Sequence, residues 1–96
     1  MTTQDDELGQ RFRQTAQIHG RRFDREIIVL DFGAGKYFSL DEVGSVIWEH
    51  LTAGLSLGEV AHKVIDAYEV DQQTAQDDVK RLAGELVSSG LLERVG

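Results

Sequence analysis

The sequence predicts an α+β fold in which three antiparallel strands are followed by three helices. Three observations carry that prediction. Arg25 to Phe32 and Lys36 to Leu40 are β-rich runs separated by Gly33-Ala34-Gly35. From Asp41 onward the apolar residues change from two-residue alternation to helical spacing. Each helical stretch also opens on a residue that caps helix N-termini, namely Asp41, Ser56 or Asp71. The 96 residues, 41% hydrophobic and 28% charged, fit one globular domain over residues 9–96. Residues 1–8, short, polar and acidic, read as a disordered N-terminal tail.

Taken in order, Gly9 to Arg22 sets Phe12, Ala16 and Ile18 among arginines and glutamines, which fits an exposed strand better than a helix. Ile27-Ile28-Val29-Leu30 is a β-branched run, with Ile28, Leu30 and Phe32 on one face by alternation. Gly33-Ala34-Gly35 supplies the positive-φ freedom that a hairpin connection needs. Lys36 to Leu40 returns as a strand, with Phe38 and Leu40 on one face and Tyr37 and Ser39 on the other.

Val43, Val46, Ile47 and Leu51 recur at helical spacing, and Thr52-Ala53-Gly54 ends that helix. Ser56-Leu57-Gly58-Glu59 has the form of a capping box, followed by an apolar stripe of Leu57, Val60, Ala61, Val64, Ile65 and Tyr68. After Asp71, the residues Ala75, Val79, Leu82, Ala83, Leu86 and Val87 form a third stripe. Gly90 is placed for a left-handed stop, after which Leu91-Leu92 packs back on the core.

Composition excludes several classes of function. Without cysteine there are neither disulfides nor thiolate metal sites. No run approaches the roughly 18 apolar residues of a transmembrane helix, and the acidic start is unlike a signal peptide. A cytoplasmic protein that does not engage membranes is expected. His19, His50 and His62 fall on separate elements without metal-ligand spacing. No carboxylate pair sits in an apolar context suited to acid–base work, and no phosphate-binding glycine signature is complete. The expectation is a protein that is not an enzyme, with no catalytic residue, metal or cofactor of its own.

The helix, turn and helix around Glu69-Val70-Asp71, closed by Gly-Leu-Leu, make the order winged helix-turn-helix-like. Such an order usually suggests nucleic-acid binding, and a small acidic winged-helix transcriptional regulator is the rival reading. Charge argues against it. The net charge is −7, and residues 71–90 carry four acids against Lys80 and Arg81. Phosphate contacts call for the opposite sign. The only basic stretch is residues 11–25, with five arginines against Asp24, which reads as a solvated strand face.

What remains is the strand Lys36 to Leu40. If the strands pair in chain order it lies at the sheet edge, where unpaired N–H and C=O groups accept an extended peptide by β-augmentation. The bland alternative is that Lys36 guards the edge while Phe38 and Leu40 serve the core. The same edge is also able to pair two copies, which admits a homodimer.

The ordered set Asp31, Gly35, Tyr37-Phe38, Leu40-Asp41, Gly44, Ile47-Trp48, Leu51, Gly54, the Ser56-to-Glu59 box, Tyr68, Asp78-Val79, Leu82, Leu86 and Gly90-Leu91-Leu92 resembles the PqqD-like family. These small peptide-binding domains are also called RiPP recognition elements. The resemblance covers about residues 26–93, with Asp41 where many relatives have asparagine. It implies a non-catalytic domain that binds the leader segment of a ribosomally made precursor peptide as an added strand. The bound peptide is then presented to a modifying enzyme, either a radical SAM protein in quinone-cofactor maturation or a leader peptidase in lasso-peptide maturation. Any iron–sulfur cluster or zinc belongs to that partner. Carried onto this chain, the resemblance implies a groove made by the backbone of Lys36, Tyr37, Phe38, Ser39 and Leu40, walled by Lys80, Ala83, Gly84 and Val87 of the third helix.

Overall fold

The computed structural model describes residues 7–95. Five strands and three helices follow in the order β1 (Arg11–Gln14), β2 (Ile18–Phe23), β3 (Glu26–Asp31), β4 (Lys36–Leu40), α1 (Glu42–Thr52), α2 (Leu57–Ala67), α3 (Gln72–Ser88) and β5 (Leu92–Val95). The α+β class and the antiparallel sheet β2-β3-β4 agree with the sequence reading. Of the expected N-terminal tail, residues 1–6 lie outside the described residues. Glu7 and Leu8 do not fit that expectation: they form a helical turn, and Leu8 packs against the core.

One feature of the chain departs from the expected pattern. Gly9 to Arg22 holds two strands, because the chain turns at Thr15 to Gln17 and Gln17 takes a left-handed conformation with φ of 69°. The first strand joins the opposite end of the chain. Arg11 to Gln14 pair antiparallel with Leu92 to Val95 in a separate two-stranded sheet. The leucines after Gly90 are indeed buried, and the strand they open forms a strap with β1. Gly90 has φ of 81°, the left-handed stop expected of it. Just beyond it, the Thr15 hydroxyl donates to the Gly90 carbonyl at 2.6 Å.

The three helix starts follow from their caps. Asp41 accepts from the Gly44 N–H at 2.8 Å, and Asp71 from the Thr74 N–H at 2.7 Å. Ser56 and Glu59 close a reciprocal capping box: the Glu59 N–H donates to the Ser56 hydroxyl, and the Ser56 N–H to the Glu59 carboxylate. In each case free amides of the first turn gain acceptors that water would otherwise supply.

A single core lies between the sheet and the helices. It contains Ile27, Val29 and Leu40 from the sheet, Ile47, Trp48 and Leu51 from α1, Leu57, Val60 and Val64 from α2, and Ala75, Val79, Ala83 and Leu86 from α3. The register sets Ile27 opposite Leu40 and Val29 opposite Phe38, so these four share the inner face. Ile28 and Leu30 therefore point away from the helices, and Phe32 is exposed beyond the end of β3. Gly20 of β2 is wedged under Trp48. A Cβ there would stand 3.0 Å from the indole Nε1 and 3.5 Å from Ile27.

Three of the five arginines of residues 11–25 attach the strand region to the helices. Arg11 pairs with Glu59 at 3.1 Å, Arg22 with Glu49, and Arg25 with Glu42 at 3.8 Å; Arg13 pairs with Glu93 across the β1–β5 strap. The Tyr68 hydroxyl also donates to Glu42 at 3.1 Å. Burial, followed by the Glu42 carboxylate, pushes the Tyr68 phenol above its ordinary pKa. Each exposed pair contributes only about 0–1 kcal/mol.

Two tests follow for the fold. Ser56→Ala removes one half of the capping box and is expected to lower unfolding free energy by about 1 kcal/mol, whereas Gly20→Val drives methyl groups into Trp48 at a cost of about 1–3 kcal/mol; urea denaturation of both variants reads these values. Stability is also expected to fall in acid. The Ser56 N–H, with Arg11 adding to it, holds Glu59 below its ordinary pKa, and the Thr74 N–H does the same for Asp71. A carboxylate with a depressed folded pKa contributes stability that is full above its unfolded value, near pH 4, and is lost as pH falls through the folded one. Replacing both residues by their amides should flatten that limb of the pH–stability curve.

Candidate functional site

Among the described residues β4 pairs with β3 on one side only, and the sheet order β2-β3-β4 leaves its other edge unpaired. That edge faces α3 across a gap. Two adjoining cavities occupy the gap, one of about 380 Å³ and one of about 390 Å³, and they share Ser39, Leu40 and Leu82. The first continues under α1 to Val43 and Ile47 and is rimmed by Asp41, Asp78 and Arg81. The second runs past Phe38 and is rimmed by Glu85 and Ser89. Together they form one groove along the strand, with an apolar floor and a charged rim.

Local structure keeps the groove in place. The buried Ser45 hydroxyl of α1 donates to the Leu40 carbonyl at 3.1 Å, tying the end of β4 to the helix that follows it. On the other wall, α3 packs against α2 and β5, and its core stripe of Ala75, Val79, Ala83 and Leu86 is turned inward. The groove side of α3 presents Asp78, Leu82, Glu85 and Ser89, which recur at intervals of three and four and so lie on one flank of that stripe. Asp78 is bound by Arg81 at 3.2 Å.

The structure brings some of the sequence-predicted site residues together and separates others. Phe38, Ser39 and Leu40 line the groove, Lys36 begins the same strand, and Tyr37 stands on the outer face, 69% exposed. The third-helix residues differ from expectation. Ala83 is buried in the core, and Lys80 pairs with Glu7 at 3.5 Å. Neither they nor Gly84 and Val87 line either cavity. The reason is geometric: Lys80, Gly84 and Val87 occupy the opposite flank of the apolar stripe, so the groove wall is built by Leu82 and its neighbours. Helical periodicity locates the stripe but leaves its two flanks equivalent until the position of β4 is known.

None of His19, His50 and His62 lines either cavity. Among the described residues, no cluster of three or more His, Cys, Asp or Glu side chains is arranged to hold a metal. None of the described helices is long and apolar enough to cross a membrane. What the groove offers, among the described residues, is a strand edge with free hydrogen-bonding groups beside two hollows floored by Leu40 and Leu82 and rimmed by polar and charged side chains.

Comparison with known proteins agrees with this geometry. The solved structure of TbiB1 in complex with the TbiA(beta) leader peptide superposes with a TM-score of 0.80 at 31% identity, covering 84% of this chain and 94% of that one. A lasso peptide synthetase B1 complexed with its leader peptide gives a TM-score of 0.79 at 28% identity, covering 85% and 96%. No curated protein matches the sequence. Residues 26–92, which run from the start of β3 to the start of β5, match the family described as coenzyme PQQ synthesis protein D (PqqD), and the chain belongs to that family.

Proposed function

We propose that this protein is a non-catalytic recognition domain that binds the leader segment of a ribosomally made precursor peptide and presents it to a modifying enzyme. The observation that carries this reading is the free edge of β4 beside a groove with an apolar floor. An extended peptide laid along that edge satisfies its backbone groups against Lys36 to Leu40, and its alternate side chains enter the hollows between Leu40, Leu82 and Leu86. Burial of those side chains supplies most of the affinity, at about 25 cal/mol per Å² before association costs. Backbone pairing supplies alignment. Both solved relatives are complexes with leader peptides, which supports the ligand class.

The domain's effect on the reaction is then one of concentration. A peptide held by its leader has its remaining length kept near the enzyme that acts on it, which makes the encounter effectively intramolecular. That enzyme is a radical SAM protein or a leader peptidase in this reading. The lasso peptide synthetase B1 among the relatives supports the peptidase, and the family's description supports quinone-cofactor maturation.

The test is titration of the full chain with a labelled candidate leader peptide, alongside duplex DNA at two salt concentrations. Saturable peptide binding with little salt dependence is expected; steeply salt-dependent duplex binding would favour the regulator instead. Leu82→Asp places a charge between both hollows and should weaken peptide binding by about tenfold or more. Gly84→Trp projects into open space on the far flank and should leave affinity unchanged. A loss confined to Gly84→Trp would move the site to the other side of α3.

A further inference from the structure

The groove leaves one broad surface without a role: the face of the β2-β3-β4 sheet turned away from the helices. Register sets His19, Leu30 and Tyr37 in one row across it, Arg21, Ile28 and Ser39 in the next, and Phe23 opposite Glu26 beyond them. A sheet with one solvated face ordinarily carries polar residues there. Here Phe23, Ile28, Leu30 and Tyr37 occupy those positions. Phe23 is 57% exposed, and Phe32, just past the end of β3, is 65% exposed with its ring 5.1 Å from that of His19.

The charges of this face differ from those of the rest of the molecule. The chain carries −7 overall, and Arg11, Arg13, Arg22 and Arg25 are paired with carboxylates. Arg21 makes no ion pair among the described residues, and with His19 it gives the patch a basic border. A second copy is a poor complement. In a two-fold contact the patch would meet its own Arg21 and His19, with Glu26 as the carboxylate of the same face. Three strands at sheet spacing offer on the order of 300 Å², well below the roughly 800 Å² per partner of a stable interface.

We propose that this face docks a separate folded protein, transiently, through an apolar patch on that partner bordered by carboxylates. The identity of the partner rests on the peptide-binding reading above: it is the enzyme that acts on the bound peptide. The position suits that role, because Tyr37 belongs to the strand whose free edge takes the peptide, and a partner on this face stands beside the peptide without covering the groove.

The test places a photo-crosslinking phenylalanine analogue at Phe32 in producing cells, then purifies the captured protein and titrates it against the full chain and two variants, Phe32→Ser and Arg21→Glu. Both positions are exposed, and circular dichroism checks that each variant folds. The expected result is capture of a peptide-processing enzyme, about tenfold weaker binding by each variant, and unchanged leader-peptide affinity in both. Equal affinity of the enzyme for wild type and both variants overturns the proposal. So does capture of a second copy alone, with a dimer in sedimentation that Phe32→Ser abolishes. If the wild type binds no leader peptide while the captured protein still loses affinity for both variants, the groove reading falls and the docking face stands.

Discussion

The molecule depends on a gap being kept between β4 and α3. Had the last helix lain against the sheet edge, side chains would have closed the space and the free amides and carbonyls of β4 would have been buried without partners, at a cost of about 1–3 kcal/mol each. The helix is instead committed elsewhere. Its apolar stripe packs on α2 and the core, and β5 follows it directly around Gly90. Asp78, Glu85 and Ser89 are left at the rim, where water or an incoming chain is able to meet them. An open edge with an apolar floor is a hazard in a protein that has no ligand for it, which is why it reads as a site here.

Charge is arranged around that opening. The acids of the helices are partly consumed by arginines of the strands, so the basic stretch of residues 11–25 works largely inside the molecule. The hairpin between β2 and β3 is fastened to α1 through Arg22–Glu49 and Arg25–Glu42, and Tyr68 at the end of α2 reaches the same Glu42. These contacts fix the sheet relative to the helices, and through the sheet they fix the edge. A chain whose order of elements is winged helix-turn-helix-like thus presents a third helix that is acidic, facing a groove along a strand edge.

Much of this was legible in the sequence, for local reasons. The caps at Asp41, Ser56 and Asp71 act within three residues, and so do the glycine turn and the stop at Gly90, so a single sequence contains all their determinants. Two things were not legible. The pairing of Arg11–Gln14 with Leu92–Val95 joins segments whose patterns are too short to announce a partner. The side of α3 that faces the groove depends on where β4 lies in space, and spacing alone set Leu82 within the apolar stripe rather than at its groove-facing margin. The outward turn of Ile28 and Leu30 belongs to the same class: a fully apolar run contains no alternation from which to choose an inner face.

The β1–β5 strap has a consequence for how the chain reaches this shape. Arg11 lies against Val95, so almost the whole polypeptide must be drawn into a loop before the strap forms. Closing so long a loop is entropically unfavourable and slow compared with building adjacent hairpins and helices. Assembly should therefore finish at the two ends of the domain, and shortening either end would release the other.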